Sequence, residues 1–322
     1  MRRLPPHIAR DHPIATGRYA IFTPAIDAFV STLGRWLDAK VTGAYVFGAS
    51  RVGKTRAVTL FLKRLLEDRL GVSIPLHIWS RPFTHNSAAE FYKSLLNAFN
   101  HASGGTRAGP NDRLAILREF LISSADECGT NGVVLIVDEA HGMTTQEWLW
   151  LLALQNAMDS EGYALSVFSI ASHQMAYEFD LMSRTGNPHV AARFLVDQWR
   201  YPGVESREEL EFILDGYDVQ SKWPRNEGVS YLEYFAPKDY ASGRLLAHSA
   251  GALWDAMIAL LPPESKGNHS FPMKHVALAV EDALFQVAFG ADWEVATSDE
   301  SWVLALTKHR FADHMRAISL DI

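Results

Sequence analysis

Residues 48–55 read Gly48, Ala49, Ser50, Arg51, Val52, Gly53, Lys54 and Thr55, a G-x-x-x-x-G-K-[ST] pattern. It follows the apolar run "AYVF" and leads into "KTRAVTLFLKRLLEDRL", where apolar residues recur at helical spacing. Glycines in such a loop let backbone N–H groups turn inward around a β-phosphate. Lys54 can neutralise charge on the β- and γ-phosphates, and the Thr55 hydroxyl can ligate Mg2+. The N-terminus of the following helix adds its partial positive charge, and Arg56 lies directly after the loop, in the same nucleotide-binding stretch. A second motif, "VVLIVDEAH", ends an apolar run in Asp138 and Glu139. A carboxylate at the C-terminal tip of a buried strand stands beside the metal and its waters, so Asp138 takes the metal-holding role. Glu139, one residue on, is suited to polarise an attacking water as general base. A small-molecule kinase needs no water-activating residue there, so the pair favours hydrolysis.

These motifs need a scaffold. Short apolar runs alternate with helical patterns from residue 41 to about 200. "VTGAYVFGA", "VSIPLHIWS", "GVVLIVDEA", "YALSVFSIAS" and "FLVDQW" read as strands. "NSAAEFYKSLLNAF" (Asn86 as N-cap), "DRLAILREFLISSA" and "TTQEWLWLLALQNAM" read as helices between them, with a loop over "GGTRAGPND". Uniformly apolar strands separated by helices indicate a parallel sheet covered on both faces, an α/β fold. About 90 residues separate the phosphate loop from Asp138, and another strand lies in that interval. The acidic strand is therefore not the sequential neighbour of the phosphate-loop strand, and "YALSVFSIAS" is expected between them in space. "DEAH" also marks a large group of helicases, but those need two tandem sheet domains, and only helices follow here. Past residue 200 strand signals fade. "SREELEFILDGYD" opens with Ser206 and Glu209 in capping-box spacing; "SGRLLAHSAGALWDAMIALL", "MKHVALAVEDALFQVAF" and "DESWVLALTKHRFADHMRAI" read as three further helices. The expected division is a basic N-terminal segment and base-flanking helix over 1–40, a nucleotide-binding core over 41–203 and a helical region over 204–322.

Composition narrows the class. One cysteine in 322 residues excludes an internal disulfide, and the 13 histidines show no metal-ligand spacing. No apolar run reaches membrane-spanning length, so no membrane partner is expected and the cytoplasm is the expected compartment. The net charge of −7 is unevenly spread. Residues 1–70 hold 12 Lys+Arg against 5 Asp+Glu, whereas residues 201–322 hold 10 against 19. Such polarity suits an N-terminal side that meets a polyanion, or copies stacked basic face to acidic face.

Strand, polar tip, helix, "HVAARF" and a last strand form a layout that resembles AAA+ P-loop ATPases, with five parallel strands and a small helical domain after them. Within that class the chain resembles the TnsC/TniB transposition regulators over roughly residues 15–260. "ATGRYAIFTPAIDAFVSTLGRWL" is similar to their entry segment, "VDEAHGM" to their acidic motif and "NPHVAARFLV" to the segment before the last strand. "YFAPKDYASGRLLAHSAGALW" looks most like TnsC of CRISPR-associated elements. The resemblance implies three further roles. Ser172 would be sensor 1, with Ser169 and His173 as rivals. Arg193 would be an arginine finger for a neighbouring copy, with Arg184 as runner-up. Arg244 would be sensor 2, part of the nucleotide-binding set. It also implies ATP with Mg2+, a homo-oligomeric ring or filament on duplex DNA held by phosphate contacts, recruitment of transposase subunits, and a target-selection protein of the TniQ type. Hydrolysis would drive disassembly. The rival expectations are an oligomerising regulatory switch that uses no DNA, and a nucleotide-dependent scaffold with negligible hydrolysis.

Overall fold

The computed structural model describes residues 4–102, 108–184, 186–224, 227–265, 267 and 269–319. Residues 104–107 of the expected "GGTRAGPND" loop lie outside them, and its last three residues already open the Pro110–Glu127 helix. The chain divides into two compact units, one formed by Ala28–Gly48 with Lys54–Tyr201, the other by residues up to Asp27, Ala49–Gly53 and residues from Pro202 on.

The first unit is built on a five-stranded sheet of β1 (Gly43–Phe47), β2 (Leu76–Ser80), β3 (Gly132–Asp138), β4 (Ala164–Ala171) and β5 (Asp197–Arg200), in the order β2-β3-β4-β1-β5. Every pairing is parallel, and β4 lies between β1 and β3 as the sequence spacing requires. Alternate residues of β3 serve opposite faces. Val133, Leu135 and Val137 pack with Phe91, Leu95, Leu117, Leu121, Trp148 and Leu151 from three helices, Ala88–Ala98, Pro110–Glu127 and Thr145–Asp159. On strand β4, which adjoins both β1 and β3, Phe168 meets the ring of Trp36 at 5.5 Å, and Trp36 belongs to the Pro24–Asp38 helix. Because the strands are parallel and adjacent, the C-terminal ends of β1, β4 and β3 bring Gly48, Ser172 and Asp138 to one edge of the sheet, where ligands of such sheets bind.

The second unit is helical. Leu210, Leu253, Val280, Trp302 and Phe311 form its core together with Ile8, Ile14, Tyr19 and Ile21 from the chain's start. His12 is buried here, stacked on Tyr234 at 4.7 Å and edged by Phe235 at 5.1 Å. The tip of the phosphate loop is tied into the same unit, since the Arg51 carbonyl accepts from the Lys274 N–H at 3.2 Å.

Local boundaries differ from expectation where side-chain competition decides. The N-cap of the Ala88–Ala98 helix is Ser87, whose hydroxyl accepts from Glu90 N–H at 3.3 Å, and not Asn86, whose own N–H is taken by the Glu90 carboxylate. The expected strand "FLVDQW" begins only at Asp197, because Phe194 still closes the Pro188–Phe194 helix and is buried. The expected helix over 299–318 is two, Asp299–Lys308 and Phe311–Ser319, broken at Arg310 in a left-handed conformation. Ser206 does cap the Arg207–Asp215 helix, but Glu209 reaches back to the Glu205 N–H rather than to Ser206 itself.

Candidate nucleotide-binding and hydrolysis site

β1 delivers Gly48 against the exit of β5. The Tyr201 N–H bonds the Phe47 carbonyl at 2.7 Å, and a Cβ on residue 48 would stand 2.5 Å from the Tyr201 carbonyl oxygen. Only glycine fits that approach. The loop then turns through Arg51 at φ +65° and Gly53 at φ +114°, with Val52 buried as its anchor, while Ala49 and Ser50 complete the turn. Lys54 opens the following helix, and its Nζ donates to the Gly48 carbonyl at 2.6 Å. Burial lowers the Lys54 ammonium to about 8, against the pull of Glu139 and Asp138. Thr55 and Arg56 are exposed on the first turn. The helix does not run straight: Lys54–Ala57 passes into a π-helical turn, Val58–Leu62, before Lys63–Leu70. Such turns recur beside functional sites.

Asp138 ends β3 almost fully buried. Burial raises its carboxyl, while a hydrogen bond from the Thr55 side chain and one from the Glu139 N–H at 3.1 Å oppose the rise. Glu139 sits at φ +60°, with its carboxylate largely exposed and 3.6 Å from His141 Nε2. Lys54, Thr55, Asp138 and Glu139 are thus brought to one place, and Lys54 feels both carboxylates.

Ser172 follows β4 directly and, through the Phe47↔Ala171 register, stands level with Gly48; its buried hydroxyl has no hydrogen-bond partner among the described residues. Ser169 lies inside β4 beside Tyr45 and Val137, and the His173 ring packs on Phe47 at 5.4 Å. Arg193 is elsewhere. Its Nε donates to Gln155 Oε1 at 3.0 Å, and Gln155 Nε2 donates to the carbonyls of Thr42 and Leu165, at the starts of β1 and β4. Arg193 is therefore at the opposite end of the sheet from its own phosphate loop. Arg184 is exposed and 3.7 Å from Asp180. Arg244 is engaged by Asp239 at 2.7 Å and Glu294 at 3.4 Å. Sequence reasoning missed a buried cluster around Glu147, with Arg81 and His85; its one visible trace was Thr144 and Glu147 in capping-box spacing.

The model of an AAA domain matches residues 42–175. The fold is similar to the Aeropyrum pernix ORC2 protein in its ADPNP–ADP complexes, with a TM-score of 0.61 and 15% identity over 93% of this chain and 72% of that one. The ADP form of the same protein gives a TM-score of 0.56 and 14% identity over 95% and 70%. Drosophila ORC bound to poly(dA/dT) DNA and Cdc6 gives 0.50 and 11% over 91% and 43%. No curated protein matches significantly in sequence. At these identities the likeness is one of fold. The chain has the AAA+ P-loop fold, a five-stranded parallel sheet flanked by helices and followed by a helical C-terminal region.

Proposed function

We propose that this protein is an ATPase whose copies assemble through bound ATP on duplex DNA, and that it regulates DNA transposition. The assembly part of this reading is carried by one observation: the phosphate loop and Arg193 stand at opposite ends of the same sheet, so Arg193 can complete an ATP site only in another copy. Gly48–Thr55 would cradle the phosphates, Lys54 would neutralise them, Glu139 would orient the lytic water and Ser172 would bond the γ-phosphate or that water. An arginine from a neighbour stabilises charge on the transferring phosphoryl group and makes hydrolysis depend on assembly.

The donors fit Mg2+. The Thr55 hydroxyl and the Asp138 carboxylate are hard oxygen ligands already joined by a hydrogen bond. No group of three or more His, Cys, Asp or Glu forms an all-protein cage among the described residues. Mg2+ held by one or two side chains plus substrate phosphates needs no more. When bound it would neutralise charge developing on the phosphates.

Nucleotide is supported by the ADPNP and ADP complexes of the structurally similar archaeal protein, and DNA by the Drosophila assembly solved on DNA. Transposase and a TniQ-type partner rest on the motif resemblance. Exposed Arg56, Lys63 and Arg64 on the phosphate-loop helix are candidate phosphate contacts for duplex DNA. A second reading, an oligomerising switch without DNA, is favoured by charge: the helical unit holds 15 Lys+Arg against 21 Asp+Glu and the sheet unit 15 against 16, so neither is basic. Negative-stain microscopy with ATP and plasmid DNA at low salt separates the two. DNA-dependent rings or filaments are expected; assemblies indifferent to DNA support the switch. Wild-type hydrolysis no faster than that of Glu139→Gln would support a scaffold instead.

A further inference from the structure

Glu147 lies in the first turn of the Thr145–Asp159 helix with its side chain fully buried. Its Oε2 accepts from the Thr144 N–H at 2.8 Å, the Thr144 hydroxyl at 3.1 Å and Arg81 Nη2 at 3.0 Å. Its Oε1 accepts from the His85 N–H at 3.1 Å and His85 Nδ1 at 2.7 Å. Burial alone would raise this carboxyl, but the bonds from Thr144, Arg81 and His85 outweigh it and hold it below the ordinary range. Glu147 is therefore a fixed anion, and its neighbours are fixed by it.

The residues so fixed surround the acidic loop. Asp138 to Thr144 joins β3 to the next helix, with Glu139 near its start. The Arg81 N–H bonds the Asp138 carbonyl at 3.1 Å, one step beyond the Ser80↔Asp138 register pair. A Cβ on Gly142 would stand 2.7 Å from Arg81 Nη1, so the guanidinium lies against the loop's backbone there. Glu147 holds Thr144 at the far end. Arg81 and Glu147 together thus grip the loop at its start, middle and end. Between these grips Glu139 keeps φ +60°, a conformation a non-glycine residue holds only where its surroundings impose it.

We infer that the Arg81–Glu147 pair is the positioning device for Glu139, fixing the loop so that its carboxylate addresses the water that attacks ATP. This rests on Glu139 being the general base, as proposed above. The hydrogen bonds and ion pairs of the two side chains among the described residues run to each other and to Thr84, His85 and Thr144, none in the phosphate loop, so the pair sets the rate of hydrolysis and leaves nucleotide affinity alone.

The test uses the full chain with Glu147→Gln, Arg81→Lys and Glu139→Gln. Gln keeps acceptor and shape but loses the charge, and Lys keeps charge but loses the fork that meets Glu147 and Gly142 at once. Misplacing a catalytic group by an ångström costs up to about 100-fold, so kcat is expected to fall roughly 10- to 100-fold in Glu147→Gln and less in Arg81→Lys. KM and the affinity for a fluorescent ATP analogue should stay within about twofold of wild type. If Glu147→Gln does not fold, Arg81→Lys decides. Wild-type kcat in folded variants, or losses of kcat matched by equal losses of nucleotide affinity, would overturn the inference while Glu139→Gln remains inactive. Full activity in Glu139→Gln would instead remove the reading of Glu139, and the positioning role with it.

Discussion

A methyl group on residue 48 would press on the Tyr201 carbonyl at 2.5 Å, and backbone on both sides leaves nothing flexible to yield. Gly48→Ala should therefore lower stability by about 1–3 kcal/mol, as overpacking does, and weaken nucleotide binding; thermal melting and analogue titration check both. Lys54→Ala leaves that packing intact and removes the buried ammonium, so it should abolish nucleotide binding with little change in melting temperature. Unchanged affinity would refute the site. At this scale the phosphate loop and the Asp138–Glu139 pair were legible because a phosphate cradle and a strand-tip carboxylate are contiguous in sequence. Glu147, Arg81 and His85 were not, because 66 and 62 residues separate Glu147 from partners that meet it only after β2 and β3 pair. Nor could the sequence show that Arg244 is held by Asp239 and Glu294.

Strand order followed from apolar runs and their spacing, since a ninety-residue interval with its own strand forces β4 between β1 and β3. Element ends depended on local choices the apolar pattern does not carry, and there reading failed: Ser87 outcompetes Asn86 as the cap, and the left-handed backbone at Arg310 breaks what looked like one amphipathic helix. Ser87→Ala should cost about 1 kcal/mol by chemical denaturation, whereas Asn86→Ala should cost far less. The helix before β5 carries Arg193, whose guanidinium links Gln155 to Asn156 at the far end of the sheet. If that arginine serves another copy, Arg193→Ala retains nucleotide affinity in dilute protein but loses hydrolysis in the assembled state. Persisting activity would shift the role to Arg184.

The whole molecule should be acid-labile for an identifiable reason. Burial lowers His12, His77 and His275 from the usual 6.5 to about 4. Each is neutral when folded and charges on unfolding, so between about 4 and 6.5 the unfolded chain binds more protons. The stability these residues allow is complete above about 6.5 and is lost as pH falls toward 4. Asp218, raised by burial to about 6, works in the opposite sense, as do Asp138 and Glu178, whose carboxyls burial also raises, whereas His314 and Glu147, both lowered, act with the three imidazoles. Melting temperature should therefore drop from pH 7 to pH 4.5, and a flat profile would contradict this account of the three imidazoles. The charge polarity read along the sequence does not carry over to the two units, because seven of the twelve basic residues among the first 70 belong to the sheet unit, where they are counted with the acidic residues of 71–201. Under the proposed function the catalytic set is divided, with Lys54 and Glu139 at one end of the sheet and Arg193 at the other. The direct test mixes Lys54→Ala, which lacks a nucleotide site but keeps its arginine, with Arg193→Ala, which has the converse defect. Each alone should be inactive, and the mixture should hydrolyse ATP at a substantial fraction of the wild-type rate; a mixture as inactive as its components would contradict an ATP site shared between copies.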